Sequence, residues 1–358
     1  MKKIIRDVLS KDAYGIQRAF GAALGFTLLI ASASSEKSLG GSQSVATRGA
    51  VLETSAPGSS FGSVGDYLPP QDCTNEPQPL IGNNYVAHGN SGPTVIKPED
   101  ILIADSNAAI LLFDRRTGKL MVLASGWPLV QPYGIAVDAN GNILVTDTGS
   151  RALIRIDGRS GAKQIVTYLP GLPLGLVVNN TGQIFVANAE AVLRIEAKTG
   201  AVNLVATGGV PIAAAMALDG SLFVVDASGS VVKVDMNNGR RTVISQGQLL
   251  RQPVFITFDE NGDLLVADSV AGCIVGVDPV NGAQRIVSFG GALVTPVCIV
   301  LGKRGEILVS DPDCQKLDGG IILTNADGTQ TPIFRGQGHY VNPRGFVIVR
   351  TSQVMHPR

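Results

Sequence analysis

The sequence predicts an all-β fold, a closed β-propeller of six four-stranded antiparallel blades, and three observations carry that expectation. Short apolar runs of matching composition recur about every 40 residues from 101 to 350, the length of a propeller blade. Glycines punctuate those runs at fixed offsets, where hairpin turns need them. The first and last units are incomplete in complementary ways, so joining them makes one whole blade.

Before the repeats come two segments of different character. Residues 1–33 hold Lys2, Lys3, Arg6, Lys11 and Arg18 against Asp7 and Asp12, and 19–35 (AFGAALGFTLLIASASS) is uncharged and ends in small residues. A basic lead, a short apolar run and Ala31-Ser32-Ala33 fit a signal peptide cleaved after Ala33. The run is short for a membrane span, which needs about 20 apolar residues. An uncleaved anchor or a buried helix is the other reading. Residues 34–97 are rich in Ser, Gly and Pro and lack apolar periodicity, so they read as a linker or arm. Tyr67, Leu68, Leu80 and Ile81 could dock that arm on the propeller.

The domain proper is expected at 98–350, with a tail at 351–358. Each unit opens on a proline followed by an apolar run, at Pro132, Pro173, Pro211, Pro253, Pro296 and Pro343. A second run ends in a polar residue: ILIAD (101–105), ILVTD (143–147), IFVAN (184–188), LFVVD (222–226), LLVAD (264–268) and ILVSD (307–311). A third run, such as ALIRID (152–157), precedes a glycine turn, and a weaker fourth closes the unit. Asn140-Gly141, Asp219-Gly220 and Asn261-Gly262 lie between the first and second runs and supply positive φ angles. The runs are continuously apolar, as a sheet buried on both faces requires. No 3.6-residue amphipathic pattern competes. The unit at 101–124 lacks its first strand, and the run at 342–349 has no unit after it. Strand 343–350 is therefore expected to complete the N-terminal blade, and closure removes open sheet edges.

The segment QPYGIAVDANGNILVTDTGSRALIRID (131–157) resembles an NHL repeat, and the resemblance extends over 101–350. It departs where that family often has Asn-His-Arg, since this chain has Gly149-Ser150-Arg151. The resemblance implies the propeller fold. Members include scaffolds, sensors and some enzymes, so it implies no single activity.

The most regular polar feature is the series Asp105, Asp147, Asn188, Asp226, Asp268 and Asp311. A ring of carboxylates for a cation is one reading. Recurrence in every unit points instead to side chains that cap their own loops by accepting backbone N–H groups. The loop from Asp311 through Asp313 to Asp318 is acidic enough to weigh calcium, but the ligand set is incomplete. Three histidines, His88, His339 and His356, do not make a zinc site. The strand-borne histidines of propeller amidating lyases and the Glu-Gly-Pro of gluconolactonase-like propellers are both missing from this sequence. No metal and no cofactor are therefore expected. Of Cys73, Cys273, Cys298 and Cys314, a Cys298–Cys314 disulfide is favoured because both should lie near one end of their blade. Cys73 could tether the arm to Cys273, and the other reading of Cys298 is a small buried residue.

The 2–3 and 4–1 loops should gather around the channel and present Trp127, Tyr133, Arg151, Tyr168, Arg251, Phe255, His339, Tyr340 and Arg344. Aromatic residues and arginine are enriched at binding hot spots. The expected function is thus an exported, periplasmic or extracellular binding module, monomeric, that recognises a protein, peptide or glycan on this face. A propeller hydrolase or lyase, metal-assisted or not, is the alternative, with Arg344, His339 and Asp313 as its first candidates; catalysis is the less favoured reading. Net charge is zero over the full chain and −3 beyond residue 33, which argues against nucleic acid. No membrane span is expected after cleavage.

Overall fold

A computed structural model describes residues 96–303, 305–314, 319–325, 328–335 and 341–350. The expected signal segment, the arm up to residue 95, Cys73, His88, His339, Tyr340, His356 and the tail lie outside the described residues. All described residues fall in the unit Asp72–Arg358. They form 24 strands and six four-stranded antiparallel sheets.

Blade 1 contains β1 (Ile101–Asp105), β2 (Ala109–Asp114) and β3 (Lys119–Ser125). Blade 2 is β4 (Pro132–Val137), β5 (Ile143–Asp147), β6 (Ala152–Ile156) and β7 (Lys163–Tyr168). Blade 3 is β8 (Pro173–Val178), β9 (Ile184–Asn188), β10 (Ala191–Ile195) and β11 (Val202–Thr207). Blade 4 is β12 (Pro211–Met216), β13 (Leu222–Asp226), β14 (Ser230–Val234) and β15 (Arg241–Gln246). Blade 5 is β16 (Pro253–Phe258), β17 (Leu264–Asp268), β18 (Cys273–Val277) and β19 (Gln284–Phe289). Blade 6 is β20 (Cys298–Leu301), β21 (Ile307–Asp311), β22 (Gly320–Thr324) and β23 (Gln330–Arg335). The last strand, β24 (Pro343–Ile348), returns to blade 1 and pairs with β1 in the order β24-β1-β2-β3. Its register sets Ile348 opposite Ile101 and Phe346 opposite Ile103. Ring closure by the C-terminal strand is thus as the sequence predicts. Below this strand pair, Val349 N–H donates to the Asp100 carbonyl at 2.9 Å.

The apolar runs fill layers between blades rather than one central core. Along β1 and β2, Leu102, Ala104, Ile110 and Leu112 face a cluster shared with blade 2. Their neighbours Ile101, Ile103, Leu111 and Phe113 face a second cluster shared with blade 6. Successive side chains of a strand point to opposite faces, so a sheet sandwiched on both sides must be apolar at every position. Each Leu or Ile removed from water in this way contributes roughly 1.5–3 kcal/mol. At the inner strands the blades come closer than side chains allow. A Cβ on Gly175 would sit 2.8 Å from Ala213 Cα, and one on Gly345 would sit 2.5 Å from the Tyr133 carbonyl.

One expectation about turns needs correction. Of each Asn-Gly or Asp-Gly pair, only the glycine has positive φ: Gly141 (77°), Gly220 (84°) and Gly262 (90°). The turns are longer than two residues. Asp138 N–H donates to the Asn142 carbonyl, while the Asp138 carboxylate accepts the N–H groups of Asn140 and Asn142 at 2.8 and 2.9 Å. In blades 2 and 5, where Asp259 acts like Asp138, a side-chain turn therefore replaces the second positive φ.

The fourth strands hold a feature absent from the sequence pattern. In every blade the pairing of strands three and four skips one residue of the outer strand, at Leu123, Val166, Val205, Ile244, Val287 or Ile333. These bulges interrupt the row of backbone groups that an open edge would present.

Candidate functional site

The 2–3 turns and the 4–1 connections lie on one face, and the second-strand acids hold them together. Asp147 accepts Val130 N–H and Gln131 N–H at 2.9 and 3.0 Å on one oxygen, and Ser150 N–H at 2.7 Å on the other. Asp268 does the same with Arg251 and Gln252 (2.7 and 2.8 Å) and with Ala271 (2.8 Å). Asp311 takes Val294 and Thr295 (2.7 and 2.9 Å) and Asp313 (2.9 Å). Asp226 takes Val210 and Ser228 N–H groups and the Arg241 guanidinium at 2.6 Å. Asp105 accepts Asn107 N–H at 2.9 Å and Asn342 N–H at 3.3 Å. Each side chain therefore bridges the loop entering its blade and the turn leaving its second strand. The lone pairs point at backbone N–H groups, which leaves a cation little to bind.

Burial outweighs these bonds for most of the series. It pushes the Asp147, Asp268 and Asp311 carboxyls above the usual carboxylate range. It pushes Asp105 up to about 6, against the opposing pull of the nearby Arg344 charge. For Asp226 burial is overcome by its bonds from Ser228, Arg241 and Val210, and its carboxyl lies below the usual value. In blade 3 the residue is Asn188, whose amide donates to the Pro170 carbonyl.

The candidate ligand residues divide into three places. Trp127, Arg151 and Arg251 are exposed on the loop face, Trp127 to 39%. Tyr133, Phe255 and Arg344 lie on the innermost strands β4, β16 and β24. Arg344 is only 5% exposed, so it is buried on its inner strand rather than presented on the loop surface. Burial raises the Tyr133 phenol above its ordinary value, and the Arg344 charge works against that rise. Phe255 packs against the cluster of blades 1 and 6. Tyr168, at the outer end of β7, packs on the cluster between blades 1 and 2 and does not join the others.

The expected Cys298–Cys314 disulfide is not formed. Cys273, Cys298 and Cys314 are buried thiols. Cys298 Sγ faces the Phe346 carbonyl at 3.9 Å, across the blade interface, because its strand position points toward blade 1. Burial pushes its thiol up to about 12 and that of Cys273 up to about 11. Cys298 thus follows the alternative reading of a small core residue. Among the described residues no group of three or more His, Cys, Asp or Glu assembles for a metal. Asp313 instead accepts the Thr295 hydroxyl at 2.7 Å.

The loop face is poor in charge. Apart from the caps, its described loops carry only Arg151, Glu190, Arg251 and Asp313, and the Lys163 and Arg241 side chains reach it from outer strands, whereas the opposite face carries Arg115, Arg116, Arg159, Lys198, Asp219 and Glu260 among others. That opposite face also has an open depression of about 580 Å³ on blade 4, lined by Asp219, Lys233, Asp235, Arg240 and neighbours.

No protein-family profile matches the chain, and no curated protein matches it in sequence. Solved structures do match in three dimensions. A virginiamycin B lyase from Staphylococcus aureus is similar at 17% identity, TM-score 0.54, over 71% of this chain and 86% of that one. A chain of a nidogen/laminin complex is similar at 14% identity, TM-score 0.57, over 69% and 97%. A protein of unknown function from Bacteroides caccae is similar at 17% identity, TM-score 0.57, over 70% and 98%. The chain shares their fold. At such identity the likeness extends no further. Among the described residues no helix is long and apolar enough to cross a membrane.

Sequence reasoning passed over three side chains on this face: Val270 (51% exposed), Phe289 (72%) and Val294 (50%). Each could have been found as an apolar residue stranded at or beyond a strand end, among Ser, Gly and Thr.

Proposed function

We propose that this chain is an exported binding module of the NHL-repeat type that recognises a protein, peptide or glycan through its loop face. The observation that supports the reading is the asymmetry of the two faces. One is crowded with ionised side chains. Beyond its caps and the Lys163 and Arg241 side chains that reach it, the other carries few among its described residues, and it exposes Trp127, Val270, Phe289 and Val294 on or beside loops clamped by buried carboxylates. Exposed apolar side chains on a rigid, weakly charged surface favour burial against a partner. A single circle of blades fits a monomer in solution.

Affinity capture from the extracellular or periplasmic fraction tests it. Trp127→Ala with Arg251→Ala should lose the captured partner at least tenfold, while Lys233→Ala with Arg240→Ala on the opposite face should retain it. Equal capture by both pairs refutes the assignment of the face. Export predicts a mature protein whose first residue is Ser34, which N-terminal sequencing of the secreted chain reads directly. The catalytic alternative draws on the inner strands β4 and β24, where the Arg344 charge acts on the Tyr133 phenol. A guanidinium and a phenol of raised pKa are both hydrogen-bond donors at neutral pH, so the pair suits anchoring an anion better than abstracting a proton.

A further inference from the structure

Blade 5 concentrates the exposed apolar side chains of the loop face. Its three loops are tied edge to edge. The Asp268 carboxylate accepts Arg251 N–H from the entering loop and Ala271 N–H from the 2–3 turn, which brings 251 and 270 side by side. Gly272 abuts the Val294 carbonyl, 3.1 Å from where its Cβ would stand. Phe289 ends β19 opposite Cys273, the first residue after that turn. Val270, Val294 and Phe289 therefore lie in one neighbourhood. Arg251 borders it on the side of blade 4 and is exposed. Asp313, held by the Thr295 hydroxyl, borders it on the side of blade 6.

We propose that this patch docks an extended protein segment bearing two or three apolar side chains, with a carboxylate at the Arg251 end. The apolar area supplies the attraction. Arg251 selects an acidic residue at one end through a charge-assisted hydrogen bond, and Asp313 repels a second acid at the other. The segment thereby acquires a direction across the blade. The inference rests on the loop-face reading above and narrows it to one blade and one chemistry.

The test uses the full chain and an array of synthetic octapeptides. Each has two or three Phe, Leu or Val residues and carries Asp at one end, Asp at both ends, or Lys in place of Asp. Peptides acidic at one end should be retained at least tenfold better than the lysine set and better than the doubly acidic set. Arg251→Glu should invert the preference toward lysine, and Phe289→Ser should lower retention at least tenfold. Both positions are exposed, so thermal unfolding should stay at the wild-type temperature. Retention indifferent to peptide charge, or unchanged in Phe289→Ser, overturns the proposal. So does the absence of retention by any peptide. A dimer seen by sedimentation that Phe289→Ser dissolves also overturns it, because a second copy then occupies the patch. Binding lost in Trp127→Ala but kept in Phe289→Ser overturns the blade-5 site while leaving the loop face standing.

Discussion

Asn188 shows how one side chain answers its local backbone. Five blades place an aspartate at this position because the approaching loop offers N–H groups, two of them in blades 2, 5 and 6. In blade 3 the approaching loop holds Pro170, whose carbonyl faces the cap, and a donor is required. An asparagine amide supplies that donor and a carboxylate cannot. Asn188→Asp should cost roughly 1–3 kcal/mol, the penalty for a buried polar group facing the wrong partner. Urea unfolding would measure the loss. The deficit should shrink on acidification, since protonating the introduced carboxyl restores an O–H donor. An unchanged midpoint at pH 7 would mean that the loop rearranges to present N–H groups. The single Asn among five Asp is plain in the sequence; which atom faces the cap is not, because it depends on the path of a loop 18 residues away.

At the level of the element, the outer strand and the glycine turn form a repeated joint. The bulged residue of one blade turns its carbonyl toward the 3–4 turn of the next. A Cβ on Gly200 would stand 2.5 Å from the Val166 carbonyl, and one on Gly239 2.7 Å from that of Val205. Gly239→Ala should therefore meet two penalties, the positive φ of 72° and the carbonyl. Together they amount to about 2–3 kcal/mol. Gly118→Ala shares the positive φ, at 70°, but meets nothing within 4 Å, and should cost only about 1 kcal/mol. Equal melting temperatures for the two variants would remove the joint from the account. The turn glycines are legible as a series of positive-φ sites. The bulges are not, because Leu123, Val166 and Val205 look like any other apolar residue of a weak fourth strand. Their carbonyls meet the glycine turn of the neighbouring blade, a contact that no single repeat reveals.

For the whole molecule, stability depends on β24 reaching β1. Without it β1 has no partner on its inner side, and the blade that begins the ring becomes its open end. Deleting 343–358 should yield a chain that aggregates or unfolds at least 10 °C below the intact protein, as scanning calorimetry and light scattering would register. A soluble truncated monomer with the wild-type transition would contradict the role of closure. The candidate site is a whole-molecule property too. Trp127 and Arg251 belong to different blades and reach one surface only because the ring is closed. Tyr168, in a neighbouring sequence context, is carried to the outer rim instead.

From its own residues the chain determined the blade count, the four-strand meander, the complementary ends and the positions of the capping side chains. These depend on local periodicity and turn chemistry, which operate within about 40 residues. Only the tertiary structure decided that Arg344 is buried, that Cys298 faces Phe346 rather than Cys314, and that Val270, Phe289 and Val294 gather beside Arg251. The first two outcomes depend on how one blade packs on the next, and the third on how the turns of blade 5 fold against the connection to blade 6. Contacts between segments distant in the chain set both, and no single apolar run contains them.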